Sequence, residues 1–121
     1  MEYLGATIET VIAQTCGEWE LIVLDDGSSD GSADVVRRYR DPRIRLLQQA
    51  NRSPAGALAA GLKEARGESV AFLDQDDLWA RDKLAAHLGR MRARPELALT
   101  FVVPVCERRG EALRRWFDFW Q

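Results

Sequence analysis

The sequence predicts an α/β protein, a three-layer αβα sandwich built on a mainly parallel sheet. Short apolar runs rich in β-branched residues alternate along the chain with segments of helical periodicity, the pattern of successive βαβ units. The run SVAFL (Ser69 to Leu73) is apolar at nearly every position. Such runs suit strands covered on both faces, as in parallel sheets. A chain of 121 residues buries about two thirds of the surface its unfolded form exposes, enough for one core.

Taken in order, Leu4, Ile8, Val11 and Ile12 recur at helical spacing and predict an amphipathic helix over 3–15. Residues 20–24, ELIVL, form a short apolar run that stops at Asp25-Asp26-Gly27 and reads as a buried strand. A helix over 31–39 is expected next, with Ser29 or Asp30 as its N-cap. RIRLL at 43–47 follows an Asp41-Pro42 turn and reads as a second strand. Ser53-Pro54 places a capping hydroxyl before a first-turn proline and opens an alanine-rich helix expected to stop at Gly67. Ser69–Leu73 is the third expected strand, 81–94 a helix ended by Pro95, and Leu97–Val103 a fourth strand. The expected division is one domain over 1–103 and a C-terminal aromatic helical tail over 104–121. In that tail Leu113, Trp116, Phe117 and Trp120 lie at i, i+3, i+4 and i+7 beside Arg114 and Arg115. The stripe suits packing against protein first, and a membrane surface or partner second.

Composition narrows the function classes. Hydrophobic residues are 46% and charged residues 30% of the chain, a globular rather than a disordered profile. Net charge is −2, so no overall positive field recruits nucleic acid. Cys16 and Cys106 stand far apart in no zinc-ligand pattern, consistent with two thiols in a reducing compartment. With no apolar run of membrane-spanning length, the expected location is cytoplasmic, with peripheral contact at the inner face of the membrane through the tail.

The acidic residues are concentrated at strand ends. Asp25 and Asp26 follow one expected strand; Asp74, Asp76 and Asp77 follow another. In open parallel sheets, ligands bind beyond the carboxyl ends of the strands, so both sets are placed to line one cleft. Like charges about 4 Å apart repel by roughly 4 kcal/mol at an effective dielectric near 20. A hard divalent cation, Mn²⁺ or Mg²⁺, would relieve that repulsion with oxygen ligands and substrate phosphates. Helix capping accounts for one carboxylate per cluster, not for two or three.

Other motifs fail on their own terms. An EF-hand loop begun at Asp26 would need a bidentate glutamate where the chain has Arg37. Neither a P-loop nor a dinucleotide fingerprint is present. His87, the sole histidine, falls inside an expected helix with no nucleophile motif nearby, and reads as a helix-face residue.

LDDGSSDGS (Leu24 to Ser32), followed by GESVAFLDQDDLW (Gly67 to Trp79), resembles family 2 glycosyltransferases of the GT-A fold. IAQT (Ile12 to Thr15), DPRIR (Asp41 to Arg45) and ALAAGL (Ala57 to Leu62) match the family's spacing as well, so the likeness runs from about residue 3 to 103. It implies the nucleotide-binding half of an enzyme that moves a sugar from a nucleotide-diphosphate donor, a UDP-sugar first of all. The acceptor hydroxyl belongs to a saccharide or lipid-linked sugar, the outcome is inversion, and the setting is cell-wall or polysaccharide biosynthesis. Residue by residue, it implies that Asp26, with Asp25 beside it, contacts the nucleotide base, that Gly27 and Ser28 join them in binding the nucleotide sugar, and that Asp74, Asp76 and Asp77 match the DxD-type segment that holds ribose and the metal. The divalent cation falls to Asp76 or Asp77, a choice the motif leaves open.

Three departures accompany the likeness. The family's usual first strand, similar to VSVIIPTYN, has no counterpart here. Leu58 and Ala59 stand where an Arg or Asn is common. The acceptor half, with its QxxRW-like segment and general base, has no convincing counterpart after residue 103. Of the acids there, Glu107, Glu111 and Asp118, none is assigned as base. The expectation is therefore a domain truncated at both ends. The rival reading is an inactive remnant serving as a binding module. A metal-dependent phosphoryl-transfer enzyme is disfavoured because no lysine or histidine is expected near the acids.

Overall fold

A computed structural model of the chain describes residues 3–50, 54–98, 107–108 and 111–112. Its elements in order are α1 (Leu4–Ile12), β1 (Leu21–Asp25), α2 (Ser32–Arg37), β2 (Ile44–Gln48), α3 (Pro54–Glu64), α4 (Lys83–Ala93), β3 (Glu107–Arg108) and β4 (Glu111–Ala112). β1 and β2 pair in parallel, Leu21 opposite Ile44 and Asp25 opposite Gln48, as the strand–helix–strand reading requires. β3 and β4 pair antiparallel over two residues each.

Side chains alternate across a strand, and the two faces of β1–β2 are covered differently. Leu4 and Ile8 of α1 and Val36 of α2 form a buried cluster. Leu21 and Val23 of β1 and Ile44 and Leu46 of β2 pack against it. On the opposite face α3 comes so close that a Cβ on Gly61 would lie 2.8 Å from Leu24 Cδ1. Helices therefore lie on both faces of the parallel pair, which is the layering expected of an α/β sandwich.

Charged side chains close the amino-terminal end of the pair. The Arg45 guanidinium donates to the Glu64 carboxylate at 2.9 Å and to the Glu64 carbonyl, in the last turn of α3, at 3.2 Å. A cation there also suits the helix dipole. Arg43 grips Asp41, donates to the Gly17 carbonyl at 3.1 Å, and stacks 3.7 Å above the Trp19 ring.

Several boundaries shift from expectation. The strands begin and end one residue later than read, and α1, α2 and α3 are shorter. α2 has Gly31 at its N-cap, with φ 84, rather than Ser29 or Asp30. Asp30 still serves the helix start, accepting the Ser32 N–H at 3.0 Å and the Ser32 hydroxyl at 2.6 Å. The larger correction is Ser69–Leu73, which is not a strand among the described residues. Val70 and Phe72 are 49% and 59% exposed. Apolar content favours an extended segment but does not supply the neighbour that a ladder needs. Leu97 closes a turn on the Arg94 carbonyl and Ala98 follows in a bend, while the rest of the expected fourth strand, 99–103, lies outside the described residues. So does the stripe of Leu113, Trp116, Phe117 and Trp120.

Candidate functional site

β1 delivers its last residue, Asp25, to the carboxyl end of the sheet. Asp25 is 5% exposed. Its Oδ1 accepts the Ser28 N–H at 2.8 Å, and its Oδ2 accepts the Gln48 side-chain amide at 2.9 Å. Those two bonds, the Gln48 bond first, hold its carboxyl below the ordinary range. Asp26, one residue on, accepts the Gln49 amide at 2.9 Å and is only half-buried. Gly27 turns the chain with φ 86, a conformation that costs any residue with a Cβ. Ser28 follows and is exposed. Asp25 is thus committed to holding the turn, and Asp26, Gly27 and Ser28 form its outer surface.

Sequence reasoning missed Gln48 and Gln49. Their signal was available: the expected second strand runs parallel to the first, so its polar exit residues must lie opposite Asp25 and Asp26.

The second acidic segment is a turn. The Asp77 N–H donates to the Asp74 carbonyl at 3.2 Å, and Asp74, Asp76 and Asp77 are all exposed. Gln75 joins the two halves. It lines a cavity of about 70 Å³ with Asp25, Ser28 and Ser32, and a second of about 100 Å³ with Tyr3, Leu4 and Asp76. The two hollows adjoin through Leu4 and Gln75, with Asp25 and Ser28 on one and Asp76 on the other; Asp26, Asp74 and Asp77 line neither. Each hollow is far smaller than the several hundred Å³ a drug-sized ligand fills.

Two features bear on ligand chemistry. Lys83, in the first turn of α4, places its ammonium 4.2 Å from the Trp79 ring centroid. Burial holds that ammonium below its usual range, against the opposing influence of Asp77. The expectation that no lysine stands near the acids is corrected by this placement. His87, one turn on, is also kept below its usual range, by burial first and then by Lys83 and Arg90. Among the described residues, no three Asp, Glu, His or Cys side chains group to hold an ion by themselves. A Mg²⁺ or Mn²⁺ that takes one or two carboxylates and completes its shell with phosphate and water needs no such cage. The exposed Asp76 and Asp77 suit that open kind of site.

Comparison with known proteins agrees with the architecture. The family model for glycosyl transferase family 2 matches residues 1–120. The uncharacterized glycosyltransferase alr2836 of Nostoc sp. is 44% identical over 85 residues, which is 68% of this chain and 26% of that protein. WfgD of Escherichia coli, a UDP-Glc:alpha-D-GlcNAc-diphosphoundecaprenol beta-1,3-glucosyltransferase, is 42% identical over 89 residues, 73% of this chain and 35% of its own length. WfaP of the same organism, with the same described activity, is 37% identical over 87 residues, 71% of this chain and 35% of its own. The chain thus spans about a quarter to a third of the length of these relatives.

Proposed function

This chain belongs to glycosyl transferase family 2, and from that premise we propose that it forms the donor-binding part of a metal-dependent, inverting glycosyltransferase. The observation that carries the proposal is that Gln75, from the Asp74–Asp77 turn, lines one hollow with Asp25 and Ser28 and an adjoining one with Asp76. Asp26, Gly27 and Ser28 bind the nucleoside through a carboxylate, an open backbone and a hydroxyl, with Asp25 holding the turn rigid behind them. Asp74 and Asp76 bind the sugar-nucleotide beyond the base, and Asp76 or Asp77 holds Mn²⁺ or Mg²⁺. The cation, when bound, offsets the charge that develops on the departing diphosphate. Sugar transfer then follows attack of an acceptor hydroxyl on the anomeric carbon, with a base that we assign to none of this chain's acids.

The donor we propose is a UDP-sugar, and the acceptor a saccharide or lipid-linked sugar of cell-wall or polysaccharide synthesis. The named E. coli relatives, which act on a diphosphoundecaprenol-linked sugar, support a lipid-linked one. Among the described residues no helix is long and apolar enough to cross a membrane. Contact with a membrane-borne acceptor is accordingly proposed to be peripheral, at the cytoplasmic face, through the aromatic stripe of a tail that begins near residue 104. A second reading, a binding module without turnover, draws on Leu58 and Ala59, both exposed on α3 where a polar contact to the donor is common.

Calorimetric titration with UDP and GDP, with and without Mn²⁺, tests the proposal on the unsubstituted chain and on Asp77→Ala. Mn²⁺-dependent binding weakened at least tenfold by the substitution is expected, about 1.4 kcal/mol. Absence of nucleotide binding under every condition overturns the donor site and leaves the module reading.

A further inference from the structure

α1 carries two kinds of buried residue. Leu4, Ile8 and Val11 are buried hydrophobics, and Thr7 and Gln14 are buried polar residues at 3% and 8% exposure. With Thr10, the polar pair makes a stripe at i, i+3 and i+7 along the helix and just past its end. Every member of that stripe is bonded to the backbone of the segment carrying the second acidic cluster.

The Thr7 hydroxyl donates to the Gln75 carbonyl at 2.9 Å. Thr10 Oγ1 accepts the Trp79 N–H at 3.2 Å while its own proton goes to the Thr7 carbonyl at 2.7 Å. Gln14 Nε2 donates to the Ala80 carbonyl at 2.7 Å and to the Thr10 carbonyl at 3.1 Å, and Oε1 accepts the Leu84 N–H at 3.0 Å. The Thr15 N–H adds a bond of 2.8 Å to the Arg81 carbonyl. Residues 77–80 belong to no helix or strand, so these bonds take the place of a ladder.

Gln14 has the widest reach. Its amide bonds use both ends of the side chain, which fixes its orientation. Leu84 lies in the first turn of α4, where N–H groups lack intrahelical partners, and the N-cap Asp82 makes no side-chain cap bond. Gln14 therefore caps α4 from the segment just after α1. That sets where α4 begins, and with it Lys83 over Trp79. None of these bonds uses a carboxylate of Asp74, Asp76 or Asp77, so the segment is held by its backbone while the acids face outward.

We propose that Thr7, Thr10 and Gln14 form a positioning rail for the metal–diphosphate half of the donor site, with Gln14 its principal residue. The inference rests on the donor-binding reading above. It adds three residues, Thr7, Thr10 and Gln14, that line neither of the two hollows. A rail that acts through the Asp74–Asp77 turn affects the Mn²⁺-dependent part of UDP binding and spares the part made by Asp26, Gly27 and Ser28.

The test compares the unsubstituted chain with Gln14→Met, which keeps volume and loses the bonds, Gln14→Glu, which keeps one acceptor, and Tyr39→Phe. Tyr39→Phe removes a bond of 3.3 Å from Tyr39 to the Gly5 carbonyl, a tie to the same helix that involves no residue of 74–84. Two quantities are read: the ratio of UDP Kd without Mn²⁺ to that with Mn²⁺, and hydrogen exchange at the Asp77, Trp79 and Leu84 amides. Gln14→Met is expected to lower the ratio at least tenfold and to speed exchange there at least tenfold, with β1 amides unchanged. Gln14→Glu restores part of the Leu84 protection, and Tyr39→Phe leaves both readings at the unsubstituted values. An unchanged ratio or unchanged exchange in Gln14→Met overturns the proposal. Equal loss in Tyr39→Phe overturns it as well, since the effect would then be general stability. If the unsubstituted chain shows no Mn²⁺-dependent UDP binding, the donor reading fails, and the exchange measurement alone decides whether the rail exists.

Discussion

Asp25 illustrates how a residue in a suggestive motif acquires a structural task. Two hydrogen bonds hold its charged form, from Gln48 and from the Ser28 backbone. Asp25→Ala leaves both donors without that acceptor, and the loss of a buried partner typically costs about 1–3 kcal/mol. Urea denaturation of the variant should show that decrease, with Asp25→Asn falling between it and the unsubstituted chain. Asp41 has its carboxyl lowered to about 2, chiefly by the Arg43 guanidinium. A group lowered on folding contributes stability that is complete above its unfolded value, near 3.8, and is lost as pH falls through the folded value. Stability should therefore decline between about pH 4 and 2. Asp41→Asn should flatten that decline in urea midpoints taken across the range; a midpoint profile unaltered by the substitution would remove Asp41 as its cause.

At the scale of elements, the closest constraint is α3 against β1. Gly61 is where the helix approaches Leu24, and a Cβ there would meet Leu24 Cδ1 at 2.8 Å. Gly61→Val adds a branched side chain to that contact. Overpacking of this kind costs about 1–3 kcal/mol, and it outweighs the propensity gained by replacing a helical glycine. The expected result is a lower urea midpoint at unchanged slope. At the turn after β1, Gly27 has φ 86, and Gly27→Ala should cost about 1–2 kcal/mol from left-handed strain. If nucleoside binding weakens by more than the stability loss explains, the outer surface of that turn contacts the ligand directly.

The whole molecule couples ligand binding to folding. A ligand held only by the folded chain at 100 times its Kd adds about 2.7 kcal/mol of stability. For a chain this size that is a rise in Tm of roughly 10 °C. UDP with Mn²⁺ should produce such a rise, and EDTA or Asp77→Ala should abolish the Mn²⁺-dependent part. At this scale the limits of sequence reading also become clear. The run ELIVL and the run RIRLL were legible as parallel strands, because short apolar runs between helical segments have few other uses. Asp25–Asp26 was legible as a strand-exit pair for the same reason, whereas Asp74–Asp77 follows no strand among the described residues. Ser69–Leu73 misled, since its composition is that of a covered strand and its described surroundings leave Val70 and Phe72 exposed. Gln14 was read only as part of a family-like string, because its bonds to Ala80 and Leu84 reach residues more than sixty positions away.

By itself the sequence determined how helices and strands alternate from α1 to α3, that Asp25 and Asp26 stand at the carboxyl end of β1, and which family the chain resembles. These depend on periodicity and neighbouring residues, which a short window contains. Only the tertiary structure decided that Gln48 holds Asp25, that Lys83 lies over Trp79, and that Thr7, Thr10 and Gln14 bond to the backbone of Gln75, Trp79, Ala80 and Leu84. Each of those is a choice of partner across the fold. A side chain's hydrogen-bonding capacity is written in its type, but the atom that satisfies it is selected by how whole elements pack.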